Sequence, residues 1–308
     1  MSRADVIIPV YKPTRKLFTL LDRLEEQTVE INRIILINTE QKYFDALTAG
    51  SDFWDRYKNV TVKHITKGEF DHGNTRRQAV KDSKAPYFVM MTDDAVPADR
   101  YLLERLLEPV EKGKAAMSYA RQLTDESSSA IEKFTREFNY PGQSMLKSKE
   151  DLEEKGIKTF FASNVCAAYN REIYDSLGGF VKHTIFNEDM IYARGLIDKG
   201  YCIAYAAEAK VYHAHNYSSF QQFQRNFDLG VSHAQYPAVF EKIATTGEGM
   251  RLVMTTAGNL LKQGKPFLII KLFWQSGWKY MGFFLGKRYK RLPSKIVKIC
   301  SMNKDYWK

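Results

Sequence analysis

At 308 residues and a formal charge of +10, the chain has enough apolar sequence for one large α/β domain and does not require two. The charge is uneven: residues 262–308 hold 12 Lys or Arg against one acid, Asp305, whereas residues 1–261 hold 34 basic and 35 acidic side chains. Cys166, Cys202 and Cys300 are widely spaced and form no Cys-X-X-Cys pair, which excludes a disulfide framework and a zinc ribbon and fits a reducing cytoplasm.

Residues 1–10 have too short an apolar stretch and too early an acid for a signal peptide, and read as a first strand over 5–10. Short β-rich runs then alternate with helical patterns, which predicts βαβ units and a mainly parallel sheet. Strands are expected over 33–38, 60–65 and 87–92, helices over 14–27, 41–57, 74–81 and 98–112, and a fifth strand over 115–121. The stretch 125–158 is polar and poorly periodic, as in an insertion or acceptor-side loop with helical pieces. Residues 160–169 read as a strand feeding a helix over 171–177, which Gly178-Gly179 would end. A helix over 190–199 and a strand over 204–212 follow.

Beyond about residue 245 the sequence changes character. Residues 264–287 are rich in Phe, Leu, Ile, Trp and Met, but Lys271 and Lys279 interrupt them, so no uncharged run approaches a bilayer span. With the following Lys287-Arg288-Tyr289-Lys290-Arg291, this fits an amphipathic segment lying on an anionic membrane surface. A helical packing region with a solvated basic face competes with that reading. The division expected is 1–240 as the catalytic domain and 241–308 as a helical, basic, membrane-associating region whose removal from residue 262 leaves donor binding intact. No nucleic-acid partner is expected.

Three polar groups fall just after predicted strands: Pro9-Val10-Tyr11, Asn38-Thr39 and Asp93-Asp94. Each could be an ordinary turn, and Asp93-Asp94 could cap a helix starting at Pro97. On one edge of an open parallel sheet, however, they share a crevice of the kind that holds ligands. Glu188-Asp189 opens a helix, where Asn187 could be a simple N-cap and the acids could favour the helix dipole.

In order along the chain, Ile8-Pro9-Val10-Tyr11, Thr92-Asp93-Asp94, Gly178-Gly179-Phe180 and Asn187-Glu188-Asp189 resemble the inverting glycosyltransferases of family 2, over about residues 4–235. The resemblance implies a GT-A-type nucleotide-binding sheet. Residues 69–76 and 211–218 look like the bacterial rhamnosyltransferase branch. By that likeness Asp189 is the catalytic base, and Asp94, with His213 or the nearby His215, holds a divalent cation, Mg2+ or Mn2+. Met91 stands where the family often has an earlier Asp, which favours a single carboxylate ligand.

Pro9, Tyr11, Asn38, Thr39, Asp71, His72, Arg76, Asp93 and Asn164 would then contact nucleotide or donor. Arg76 would grip diphosphate oxygens, although Arg77 beside it reads as a surface charge. Asp71 and His72 could instead make an Asx-turn. Asn38-Thr39 replaces a carboxylate pair that helps read uracil, which favours thymidine. The function implied is transfer of L-rhamnose from dTDP-L-rhamnose to a lipid-linked cell-surface glycan precursor, at the inner face of the plasma membrane. A UDP-hexose or UDP-N-acetylhexosamine donor is the near alternative. A sugar nucleotidyltransferase is the more distant one, and would want a Gly-rich loop that Pro9-Val10-Tyr11-Lys12-Pro13 lacks.

Overall fold

The computed structural model describes residues 4–215, 217–241 and 246–307. Nine strands form one sheet: β1 (Ala4–Tyr11), β2 (Ile31–Thr39), β3 (Val60–Ile65), β4 (Tyr87–Met91), β5 (Val96–Pro97), β6 (Met117–Leu123), β7 (Met145–Lys147), β8 (Cys166–Asn170) and β9 (Ile203–Tyr212). Their order is β3-β2-β1-β4-β8-β6-β9-β5, with β7 added to β9. β1 pairs in parallel with β2 and β4, β2 with β3, and β6 with β9, while β8 runs against both β4 and β6. β3, β2, β1, β4, β6 and β9 therefore point one way, giving the mainly parallel sheet expected.

The early strands are linked by α1 (Lys16–Glu25), α2 (Gln41–Thr48), α3 (Phe53–Arg56), α4 (His72–Asp82) and α5 (Leu102–Glu111). Successive strand residues face opposite sides, so Val6 and Ile8 enter one core with Leu20, Leu36 and Leu106, while Ile7 enters another with Ile35, Phe88 and Tyr169. Both faces are covered, which is why these strands read as continuous apolar runs.

Several boundaries differ from the sequence pattern. The helix expected over 41–57 breaks into α2 and α3, where Gly50 takes a φ of +69°. The helix expected from 98 begins at Leu102, because Val96 and Pro97 pair with Tyr212 and Val211 of β9 instead. The strand expected over 160–169 begins only at Cys166, since Ser163 and Asn164 turn their polar groups onto other side chains rather than into the ladder. The polar stretch 125–158 supplies α6 (Ala130–Asn139), α7 (Leu152–Lys155) and also β7, a strand its polarity concealed. Gly178 and Gly179, at φ +78° and +71°, end α8 (Arg171–Ser176) as expected.

After α9 (Glu188–Asp198) and β9 come α10 (Ser219–Gln235), α11 (Pro237–Phe240), α12 (Thr246–Lys262), α13 (Phe267–Gly286) and α14 (Ser294–Cys300). α13 lies backbone against backbone on α10. A Cβ on Gly282 would stand 2.2 Å from the Phe223 carbonyl oxygen, on Gly286 2.1 Å from that of Phe227, and on Gly230 2.4 Å from that of Phe283. Only glycine permits that approach. The chain end then folds back: the Met302 and Asn303 N–H groups donate to Asp228 Oδ2 at 3.0 and 3.2 Å, and Tyr306 stacks on His183 at 4.5 Å. Removing residues 262–308 would thus strip the packing from Phe223, Phe227 and Asp228 on α10, and such a truncation does not separate the basic tail cleanly from the body.

Candidate active site at the carboxyl rim of the sheet

The carboxyl ends of the co-directional strands bring the expected residues to one rim. Tyr11 ends β1, Asn38-Thr39 ends β2, Asp93-Asp94 follows β4, and His213 and His215 follow β9. A tight turn carries Asp93 and Asp94, closed by the Ala95 N–H on the Thr92 carbonyl at 3.1 Å, and β5 pins its far side to Tyr212. Neither acid caps a helix. The pairing instead sets Asp94 beside the histidines: His213 Nε2 lies 3.5 Å from Asp94 Oδ1 and His215 Nε2 lies 3.3 Å from Asp94 Oδ2.

These three side chains offer ligand atoms within 4.8 Å of one another. Burial lowers the basicity of both imidazoles, taking His213 to about 3, so at neutral pH they are uncharged and the contacts with Asp94 are not ion pairs. Two neutral imidazoles and a carboxylate are a donor set suited to Mn2+ or another first-row dication. The expected ligands Asp94 and His213 are together, and His215 joins them. Met91, by contrast, is buried in the core.

Asp93 is pushed up to about 7, first by burial and then by the neighbouring Asp94. Its Oδ2 lies 3.4 Å from the Tyr11 N–H and so ties the turn to the end of β1. The Tyr11 ring is exposed, edge-on to Tyr43 at 5.9 Å. Pro9 remains within β1 and is partly buried. Asn38 and Thr39 are fully buried, and the Asn38 amide nitrogen lies 3.0 Å from His64 Nδ1. The Asn38 Oδ1 is buried and makes no hydrogen bond.

The second acidic pair opens α9. Asn187 does not cap it; the residue adopts a left-handed φ of 65°, and its Nδ2 donates to Ser232 Oγ of α10 at 3.3 Å. Asn tolerates this conformation better than most residues do. Asp189 is held through both oxygens, Oδ2 accepting the Asn164 N–H at 2.8 Å and Oδ1 the Met190 N–H at 2.7 Å. Desolvation, reinforced by Glu188, pushes its pKa up to about 7.

Glu188 goes the other way. Burial opposes its ionisation, but the Arg76 guanidinium and the Asn164 amide outweigh that and hold it below the usual carboxylate range. Arg76 Nε stands 3.1 Å from Glu188 Oε1, both side chains buried, and Asn164 Nδ2 donates to the same oxygen at 3.0 Å. Arg76, expected at the diphosphate, here makes a buried ion pair that anchors the start of α9. Asn164 likewise serves the acidic pair, while its Oδ1 accepts from Tyr169 at 2.6 Å.

Asp71 caps α4: Oδ1 accepts the Gly73 and Asn74 N–H groups at 2.8 and 2.9 Å, and Oδ2 meets His183 Nδ1 at 2.7 Å. That is the turn-forming alternative rather than a donor contact. His72 is half-buried and driven down to about 4, chiefly by desolvation and then by Arg76, so it is neutral beside Phe186. Arg77 is tied to the Gly178 and Phe180 carbonyls.

Sequence reasoning missed a cation. Arg225 on α10 lies over the Phe186 ring at 4.6 Å and the Tyr217 ring at 6.0 Å, between the start of α9 and the ring stacked on His215. Among the described residues no carboxylate pairs with it. No motif marks it, because its position follows only from α10 packing under the rim.

Comparisons with known proteins bear on the family and the fold. The family model "Glycosyl transferase family 2" matches residues 5–178. O-antigen chain rhamnosyltransferase RfbN of Salmonella typhimurium is 37% identical over 307 residues, covering 99% of this chain and 96% of that one. O-antigen chain rhamnosyltransferase WbaN of Salmonella anatum is 36% identical over 310 residues, covering 100% and 96%. The mannosyltransferase PcManGT from Pyrobaculum calidifontis, in complex with GDP-Man and Mn2+, shares the fold at a TM-score of 0.63 and 14% identity, over 95% of this chain and 88% of that one. TarS 1-349 of S. aureus does so at 0.52 and 12%, over 97% and 83%. The motif order, the rim and these relatives lead to one assignment: the chain belongs to glycosyltransferase family 2.

Proposed function

We propose that the protein is an inverting, metal-dependent transferase that moves L-rhamnose from dTDP-L-rhamnose to a hydroxyl of a lipid-linked polysaccharide precursor. The observation that carries the reading is Asp189, a half-buried carboxylate fixed by two backbone N–H groups, with its pKa raised to about 7 by desolvation and by Glu188. The rhamnosyl group is supported by the activity named for RfbN and WbaN.

In this mechanism Asp189 takes the acceptor proton as the hydroxyl oxygen attacks the anomeric carbon, and the bond from that carbon to the diphosphate oxygen breaks on the opposite face. Asp94, His213 and His215 would hold the divalent cation, which when bound neutralises phosphate oxygens of the leaving group. Arg225 adds a guanidinium for the same diphosphate. The exposed ring of Tyr11 offers the nucleobase a stacking surface. Glu188 and Arg76 keep Asp189 in place.

The surface of α13 supports a lipid-linked acceptor in this reading. Phe267, Ile270, Phe273, Trp274, Tyr280, Met281 and Phe284 lie along one exposed stripe at helical spacing, with Trp274 62% and Ile270 78% exposed. Lys287, Arg288, Lys290 and Arg291 follow directly. Among the described residues no helix is long and apolar enough to cross a membrane, so the stripe is suited to lying on an anionic one, at the cytoplasmic face.

Thermal stabilisation by dTDP-rhamnose, UDP-glucose and UDP-N-acetylglucosamine with Mn2+ or Mg2+ tests the donor, because preferential binding to the native state raises stability. Stronger stabilisation by a UDP-sugar would sink the thymidine reading. Trp274→Glu should release the protein from phosphatidylglycerol-containing vesicles without changing transfer to a water-soluble acceptor.

A further inference from the structure

Gln122, near the carboxyl end of β6 and buried, joins the two halves of the rim. Its Oε1 accepts from the Arg136 guanidinium and stands 3.0 Å from His213 Nδ1. On the other side, Nε2 donates to Tyr140 Oη at 2.6 Å and Ser163 Oγ at 3.0 Å. The parallel register sets this geometry, placing Gln122 opposite Val211 two residues before His213.

A guanidinium can only donate, so the amide atom facing Arg136 must be the oxygen. The imidazole nitrogen facing that same oxygen must then carry the proton. His213 is consequently protonated at Nδ1, and a neutral ring with that tautomer leaves Nε2 bare. Nε2 is the atom turned toward Asp94. In the opposite tautomer an Nε2–H would donate to the Asp94 carboxylate and close that side of the group with a hydrogen bond, leaving no His213 lone pair for a ligand.

We propose that Gln122, oriented by Arg136, is a positioning residue that locks His213 in the Nδ1–H tautomer and so keeps Nε2 available to a divalent cation at Asp94, His213 and His215. The proposal rests on reading that group as the cation site. Gln122 touches neither cation nor sugar; it acts through His213.

Mn2+ titration of the full chain without nucleotide sugar, followed by the electron paramagnetic resonance of free Mn2+, tests the lock. Gln122→Glu keeps an acceptor for both Arg136 and His213 while losing both donated hydrogen bonds, and should retain the parent affinity. Gln122→Met removes the acceptor and should weaken Mn2+ by about 10–100-fold, the usual cost of losing a partner behind a metal ligand. In 15N-histidine protein without metal, the His213 ring should be Nδ1-protonated in the parent and Gln122→Glu, but mixed or Nε2-protonated in Gln122→Met.

Equal Mn2+ affinity in the parent and a folded Gln122→Met overturns the lock, as does an Nε2-protonated His213 in the parent. If Gln122→Met does not fold, Arg136→Met supplies the same test, since it frees the amide to flip; unchanged affinity there also overturns it. Asp94→Asn separates the underlying reading: a parent that binds no Mn2+, or an Asp94→Asn that binds as well as the parent, overturns the cation site and the lock with it.

Discussion

Two pairs of adjacent carboxylates face the same rim, and they are built by opposite means. Asp93-Asp94 sits on a turn after β4 and meets two imidazoles from the next segment of the rim, whereas Glu188-Asp189 opens a helix and meets a buried arginine. In each pair one member is pushed up to about 7, Asp93 and Asp189, chiefly by burial. The other member holds the partner: Asp94 the histidines, Glu188 the guanidinium of Arg76. The difference lies in what that partner can become. The imidazoles leave room for a dication, while Arg76 already supplies the positive charge and closes its pair. One pair can therefore bind a cation and the other can only exchange a proton.

The sharpest break between the two is made by removing one ionisable oxygen from each. Asp189→Asn should lower kcat by about 10²- to 10⁴-fold, the usual contribution of a positioned general base, with Mn2+ affinity unchanged. Asp94→Asn should do the reverse in binding, abolishing saturable Mn2+ uptake. Steady-state kinetics beside Mn2+ titration reads both, and a Mn2+ loss in Asp189→Asn would merge the two sites into one.

Next comes the buried pair that fixes α9. Arg76→Met leaves Glu188 buried without its cation and should destabilise the fold by about 3–5 kcal/mol in urea unfolding, as breaking a buried ion pair does. Were Arg76 instead a diphosphate ligand held loosely by Glu188, stability would change little and donor affinity would fall.

The sequence made the first acidic pair legible and the second only half so. An apolar run ending in Asp-Asp marks a strand end, although the pair could equally have capped a helix at Pro97, and β4 was predictable to within a residue. β1 and β2 were equally clear because buried parallel strands are largely apolar, whereas β3, an edge strand with Lys63 and His64 exposed, was marked by its β-branched residues. Arg76 and Asn164 were seen as polar residues of the right family, but their attachment to Glu188 depends on how α4 and the 160–165 loop pack against α9. Arg225 and Gln122 carried no local signal at all: one lies mid-helix and the other near the end of a strand, and only packing under the rim gives them a role. The exposed stripe of α13 was legible as amphipathic, whereas its close seat on α10 depends on Gly230, Gly282 and Gly286, whose spacing has no meaning until the two helices meet.

The smallest effect separates the two carboxyls that share a value near 7. A base must be ionised to accept a proton, so the protonated form of Asp189 that prevails below about pH 7 is inactive, and kcat/KM should rise about tenfold per unit up to that point and level off above it. Asp93 would titrate over the same range. Asp93→Asn loses only the ionisable oxygen beside the Tyr11 N–H, a long contact of 3.4 Å. That variant should keep the rising limb and its midpoint, with kcat within about threefold of the parent, as expected where no proton transfer is lost. If the limb disappears in Asp93→Asn, the titration that governs the rate belongs to the turn after β4, and the division between a cation pair and a proton pair fails.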